Sequence, residues 1–102
     1  MSYITIVGTK NYFGSEVFSV GQVLRAIKDP ENVYDQEAIK VSSDANVIYG
    51  YIANSVRSVA KGCKSAGRIY DTFKQEIDIK VLFIVYDCVI AEILYKEASP
   101  NN

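Results

Sequence analysis

Alternation of apolar and polar positions is the strongest pattern along the chain. It is clearest in EIDIKVLFIV at 76–85, where Ile77, Ile79, Val81, Phe83 and Val85 would share one face of a strand. The same period of two marks YITIV at 3–7, closed by Gly8, the stretch at about 37–42, VIYGYIA at 47–53 and VIAEILYK at 89–96. SSDAN at 42–46 is turn chemistry, so 37–53 predicts a β-hairpin, and Tyr86-Asp87-Cys88 predicts the turn between the last two strands. Residues 8–19 read as a loop, with Gly8, Asn11, Gly14, Ser15 and Ser19. Tyr12, Phe13 and Phe18 give that loop more aromatic surface than a connector needs.

Two segments carry a helical period. In VGQVLRAIK at 20–28, Val20, Val23, Leu24 and Ile27 fit the helix template, while Val23, Arg25 and Ile27 alternate as a strand would. Periodicity alone leans to helix there, and Pro30 stops either element. Further on, Asn54 or Ser55 can cap a helix through about Ser65, with Gly67 as its stop and Val56, Val59, Ala60 and Cys63 as its buried stripe. On that helix Arg57, Lys61, Lys64 and Arg68 would fall within roughly 60° of one face. Residues 45–70 contain these four cations and no carboxylate, so the face is either a track for phosphates or an ordinary solvated surface. Five or six short strands with one clear helix and no internal repeat predict a small barrel or strongly curled sheet, not a doubly wound α/β fold.

Composition narrows the function more than the fold. The 102 residues suit one domain, residues 1–96, followed by a polar tail at 97–102. A formal charge of −1 gives no global attraction to nucleic acid or to an anionic membrane, so a basic site must be local. The longest apolar run, VLFIVY at 81–86, is too short to span a bilayer, and MSYITIVG lacks the basic and apolar regions of a signal peptide. The expectation is a cytoplasmic protein with no membrane partner. Cys63 and Cys88 form neither a metal nor a disulfide framework and read as structural thiols. The chain has no histidine, which removes the commonest general base and the usual nucleophile pairs. Carboxylates such as Asp35 and Asp87 remain for an enzyme, but no motif supports one. The reading is non-catalytic, with no cofactor and no metal.

DPENVYDQEAIKV at 29–41 holds the residues that local rules do not require. Turn chemistry accounts for Asp29, Pro30 and Asn32, and strand alternation for Ala38 to Val41. Tyr34 and Asp35 are left over. Asp35 can close an Asx-turn or meet a ligand, and both roles can be filled at once; Tyr34 can pack on the body of the protein or be presented to solvent. Tyr12, Tyr34, Tyr49 and Tyr51 all fall in or beside these loops, with Tyr49 and Tyr51 on one strand face.

VGTKNY at 7–12, LRAIKDPENVYDQEAIKV at 24–41 and IYGYIA at 48–53 together resemble the HIRAN domain, over roughly residues 4 to 95. Asp29-Pro30, Asn32, Tyr34-Asp35, Ala38-Ile39-Lys40-Val41 and Gly50-Tyr51 stand at the places matching the family's pattern. The resemblance implies a mainly β fold: a small OB-fold-related barrel of about six strands with one or two helices, in which 20–28 is a strand. The family is best known in fork-remodelling helicases, which implies a setting in DNA repair or replication and a module that captures single-stranded DNA or free 3′ ends. Tyr34 would stack on a terminal base and Asp35 would accept a bond from a 3′ hydroxyl. Lys10 and Tyr12 would complete the pocket, with Tyr51 and the cations Arg57, Lys61, Lys64 and Arg68 alongside. The chain departs from the pattern at Val33, where the family has proline, and at Asn11, where DNA-binding members have an aromatic. Those departures, with the negative net charge, support the alternative of a protein-interaction module that keeps the barrel without the DNA pocket. Its anchors would be Tyr12, Phe13 and Phe18.

Overall fold

The structure, a computed structural model, describes residues 1–43, 45–85 and 88–95. Six strands, β1 (Tyr3–Val7), β2 (Val23–Lys28), β3 (Ile39–Ser42), β4 (Ile48–Ile52), β5 (Glu76–Val85) and β6 (Cys88–Leu94), close into an antiparallel barrel in the order β1-β4-β3-β2-β5-β6. One short helix, α1 (Ala66–Ile69), and 3₁₀ turns at Thr9–Asn11, Ser15–Val17 and Tyr70–Thr72 complete the described elements. The expected turn at Tyr86-Asp87, the residue Asp44 of the SSDAN turn, the end of the last strand at Lys96 and the tail at 97–102 lie outside the described residues.

Alternation builds the core. Ile4, Ile6, Leu24, Ala26, Ile39, Val41, Ile52, Ile79, Val81, Val89, Ala91 and Ile93 point inward and are buried. Each large aliphatic side chain so removed from water contributes about 1.5–3 kcal/mol. Ala66 and Ile69 of α1 and Phe18 of the first loop join the same cluster. The 23–28 segment is a strand because it has a ladder on both sides, pairing with β3 through Arg25↔Ser42 to Lys28↔Ile39 and with β5 through Val23↔Lys80 to Ile27↔Glu76. Its helical period is an accident of a short window, and Gly21, at φ 89°, is in the left-handed region that a helix cannot use.

Two expectations change. The 76–85 alternation does not hold to its end, because the β5–β6 register slips between Val81 and Phe83. Beyond that bulge Ile84, opposite Val89, packs on the core, and Phe83 and Val85 are turned to solvent. The second change is larger: residues 55–65 are not a helix. Ser55 O accepts the Ser58 and Val59 N–H groups, making one turn that goes no further. The chain is then stitched to β1 instead of to itself. Ala60 N–H donates to Thr5 Oγ1 at 3.0 Å and Lys64 N–H to Tyr3 O at 2.7 Å, with Gly62 at φ 89° between them. Val56, expected in the core, is 96% exposed. Helix formation starts only at Ser65, whose Oγ accepts the Arg68 N–H, and the expected stop Gly67 lies inside α1.

Candidate functional site

The loop between β2 and β3 is held by the short polar side chains within it. Asn32 N–H donates to Asp29 O, and Asn32 Oδ1 accepts the Tyr34 and Asp35 N–H groups at 2.9 and 3.2 Å. Asp35 Oδ1 in turn accepts the Glu37 N–H at 2.9 Å, the Asx-turn that loop aspartates favour. Asp29 N–H and Ala38 O close the base of the loop at 2.8 Å. Tyr34 joins these bonds only through its backbone N–H. The Tyr34 side chain makes none among the described residues and is 95% exposed. Of the two placements open to it, the phenol takes presentation to solvent.

Asp35 is tied down on its other side as well. Asn54 Nδ2 donates to Asp35 Oδ2 at 2.7 Å, and Asn54 Oδ1 accepts the Gly67 N–H at 2.8 Å. Asn54, read from the sequence as a helix cap, is therefore a bridge between the loop and α1. A Cβ on Gly67 would lie 2.7 Å from Glu37 Oε1, so α1 sits directly on the loop. A carboxylate offers about four acceptor positions, and the two bonds at Asp35 leave room for a hydroxyl donor.

β4 supplies the opposite wall. Its outward residues Tyr49 and Tyr51 meet the aromatics of the first loop. Phe13 and Phe18 pack edge-on to Tyr49 with centroids 6.1 and 5.6 Å away, and Tyr12 tilts over Tyr51 at 6.4 Å. This accounts for the aromatic content of residues 8–19. Phe18 is spent in the core at 5% exposure, which corrects its expected role as an exposed anchor, while Tyr12 and Phe13 stay open to solvent. Tyr51 Oη donates to Asp29 Oδ2 at 3.1 Å. Burial, that bond and the nearby Asp29 and Tyr12 push its phenol up to about 12, so at neutral pH it remains a donor.

Tyr12, Tyr34, Asp35 and Tyr51 line one open groove of about 500 Å³, together with Asn11, Asn32 and Asn54. Lys10 is exposed in the 3₁₀ turn one residue before Asn11, at the edge of the groove and not on its wall. The groove carries no lysine or arginine among the described residues of its lining. Without the expected helix, the other cations do not form a single face. Lys64 Nζ donates to Ser2 Oγ, Lys61 lines an apolar hollow with Tyr3, Phe83 and Ile90, and Arg57 is exposed in the turn after Ser55. The sequence signal for Asn32 and Asn54 was present as loop chemistry, but their cross-chain partners were not.

No group of histidine, cysteine or carboxylate side chains fit to hold a metal occurs among the described residues, and Asp87 lies outside them. Both cysteines are free and partly buried; burial, then the neighbouring Cys63, pushes the Cys88 thiol above its ordinary value. Among the described residues no helix is long and apolar enough to cross a membrane.

A closed antiparallel barrel with an aromatic groove beside β4 and a tyrosine presented at its rim defines a small OB-like module. The chain belongs to the HIRAN domain family, whose model matches residues 1–85. Its fold is similar to the HIRAN domain of human HLTF, with a TM-score of 0.66 and 22% identity over 89% of this chain and 70% of that one. It is also similar to a protein from Lactobacillus plantarum, with a TM-score of 0.64 and 18% identity over 89% of this chain and 87% of that one. No match is found among curated proteins. HIRAN domains are DNA-binding and generally non-catalytic modules, which supports nucleic-acid binding in general.

Proposed function

We propose that this domain binds single-stranded DNA or free 3′-OH ends without catalysing a reaction. The observation that carries the reading is Tyr34, a large aromatic 95% exposed on a loop whose bonds use its backbone N–H and not its side chain. Folding gives no reason for a tyrosine there, and stacking on a base does. An aromatic face accepts any base and is worth about 1–3 kcal/mol per base. Tyr12 and Tyr51 supply further aromatic wall, and Asp35 accepts the terminal hydroxyl at a position left open by its two internal bonds. A phosphate at the same place would be repelled. Lys10 offers a backbone contact at the edge, while Arg57, Lys61 and Lys64 contribute diffuse positive charge along the 55–64 segment.

The test compares oligonucleotides ending in 3′-OH and 3′-phosphate at moderate salt, by fluorescence anisotropy. Tighter binding of the hydroxyl end, lost in Asp35→Asn, supports the assignment. Equal affinity for both ends removes the Asp35 role.

A second reading, a protein-interaction module, draws on the absence of cations from the groove lining among the described residues and on Phe13, which is 57% exposed. Under it Tyr34→Ala leaves function intact and Phe13→Ala does not.

A further inference from the structure

A second hollow adjoins the aromatic groove, and the two share Asn54. The hollow, about 290 Å³, is lined by Asn54, Val56, Val59, Cys63, Ser65 and Arg68. Its lining carries a single charge among the described residues, that of Arg68. Ala66 and Ile69 hold α1 in the core by their buried side chains, which leaves Arg68 on the outer side of the helix and exposed. Its backbone N–H caps on Ser65, and its guanidinium has no partner among the described residues. Beside it Val56 stands 96% exposed, an apolar side chain that the fold leaves uncovered. An unpaired guanidinium next to an apolar wall fits a phosphodiester and its sugar better than it fits an isolated anion.

The charges on the two sides of Asn54 are opposite. Asp35 and Glu37 lie on the loop side, with Glu37 Oε1 close against Gly67, and Arg68 follows Gly67 on the far side. Both polar ends of the Asn54 side chain are already bonded, so it acts as a fixed divider between them. We infer that this hollow is a phosphate subsite in which Arg68 holds a backbone phosphate near the end of the bound strand. The arrangement sets strand direction: the hydroxyl end lies against the carboxylates and the first phosphates run over Asn54 toward the arginine. This inference rests on the function proposed above and adds the path of the strand beyond its terminal base.

The experiment uses the full chain and a short labelled oligothymidylate. Single methylphosphonates, which remove one phosphate charge, are placed at successive positions from the 3′ end, and affinity is read by anisotropy across a salt series. Wild type is expected to lose affinity about tenfold when one phosphate near the 3′ end is neutral. Arg68→Gln is expected to lose a similar factor on the unmodified strand, to become indifferent to that substitution, and to lower the salt slope by about 0.7. Arg68→Lys restores the slope. If Arg68→Gln binds as wild type does while Tyr34→Ala has lost binding, the subsite is wrong and the proposed function stands. If wild type binds no oligonucleotide even at low salt, the proposed function falls and this inference with it.

Discussion

Asn54 Nδ2 donates to Asp35 Oδ2 at 2.7 Å, and this contact joins the loop that presents Tyr34 to the helix behind it. The other end of the same amide holds the Gly67 N–H. Asn54→Ala removes both bonds at once and leaves Oδ2 of the half-buried Asp35 carboxylate and the Gly67 N–H without their partners. A cost of about 1–3 kcal/mol is expected. Urea unfolding checks it: the midpoint should fall with the slope unchanged, and an unaltered midpoint would show that water replaces the amide fully.

Tyr34 and Phe18 should separate binding from stability. Both are aromatic loop residues, but one is 95% exposed and the other 5%. Tyr34→Ala should change stability by no more than about 0.5 kcal/mol, as surface changes do. Its effect should appear in oligonucleotide affinity, as a loss of about 1–3 kcal/mol. Phe18→Ala should cost about 3–5 kcal/mol of stability through the cavity it leaves. Thermal melts and anisotropy on the two variants give the comparison, and a large stability loss in Tyr34→Ala would mean that the ring packs after all.

The Tyr51–Asp29 pair makes a prediction at high pH. Tyr51 holds its proton to about 12 in the folded chain and to 10.0 when unperturbed. Between those values the folded state binds more protons than the unfolded one, so stability falls as pH rises. The contribution is fully present below pH 10.0 and gone above about 12. Phenolate absorbance should show a late-titrating tyrosine that is missing in Tyr51→Phe. The fall in stability over the same window should be shallower in that variant. If the two proteins titrate alike, burial and the Asp29 bond together do not hold the proton on Tyr51.

The barrel was legible because most of its strands bury one face, and a period of two records that directly. What alternation could not show was where it would break. Phe83 and Val85 are in phase with Ile79 and Val81 in the sequence, and only the slip opposite Ala91 and Ile90 turns them outward. Residues 55–65 failed for a related reason. A helical stripe was present, but the amides of Ala60 and Lys64 found acceptors on β1, and Gly62 took a backbone conformation closed to a helix. Pairing with another strand outweighed local period in both places. At the site, Tyr34 and Asp35 stood out because no local rule required them. Asn54 did not, since its partners are Asp35 and Gly67, on two other segments.

Gly50 and Ser42, on neighbouring strands, should respond to alanine in opposite directions. A Cβ at Gly50 would meet Val7 O at 2.8 Å and Ile6 Cγ2 at 3.1 Å, so β1 and β4 could not keep their spacing. The clash is with backbone, which cannot step aside as a flexible side chain does. Gly50→Ala should therefore cost about 1–3 kcal/mol, as overpacking does. Because Val7 and Tyr51 both line the groove, it should also weaken oligonucleotide binding. Ser42 lies at the β3–β4 bulge, 1% exposed, and its hydroxyl has no hydrogen-bond partner among the described residues. Ser42→Ala removes that orphaned group, so stability should be unchanged or rise by on the order of 1 kcal/mol. Tm values for the two variants settle both points, and a marked loss in Ser42→Ala would mean that its hydroxyl is satisfied in solution, by a water held at the bulge.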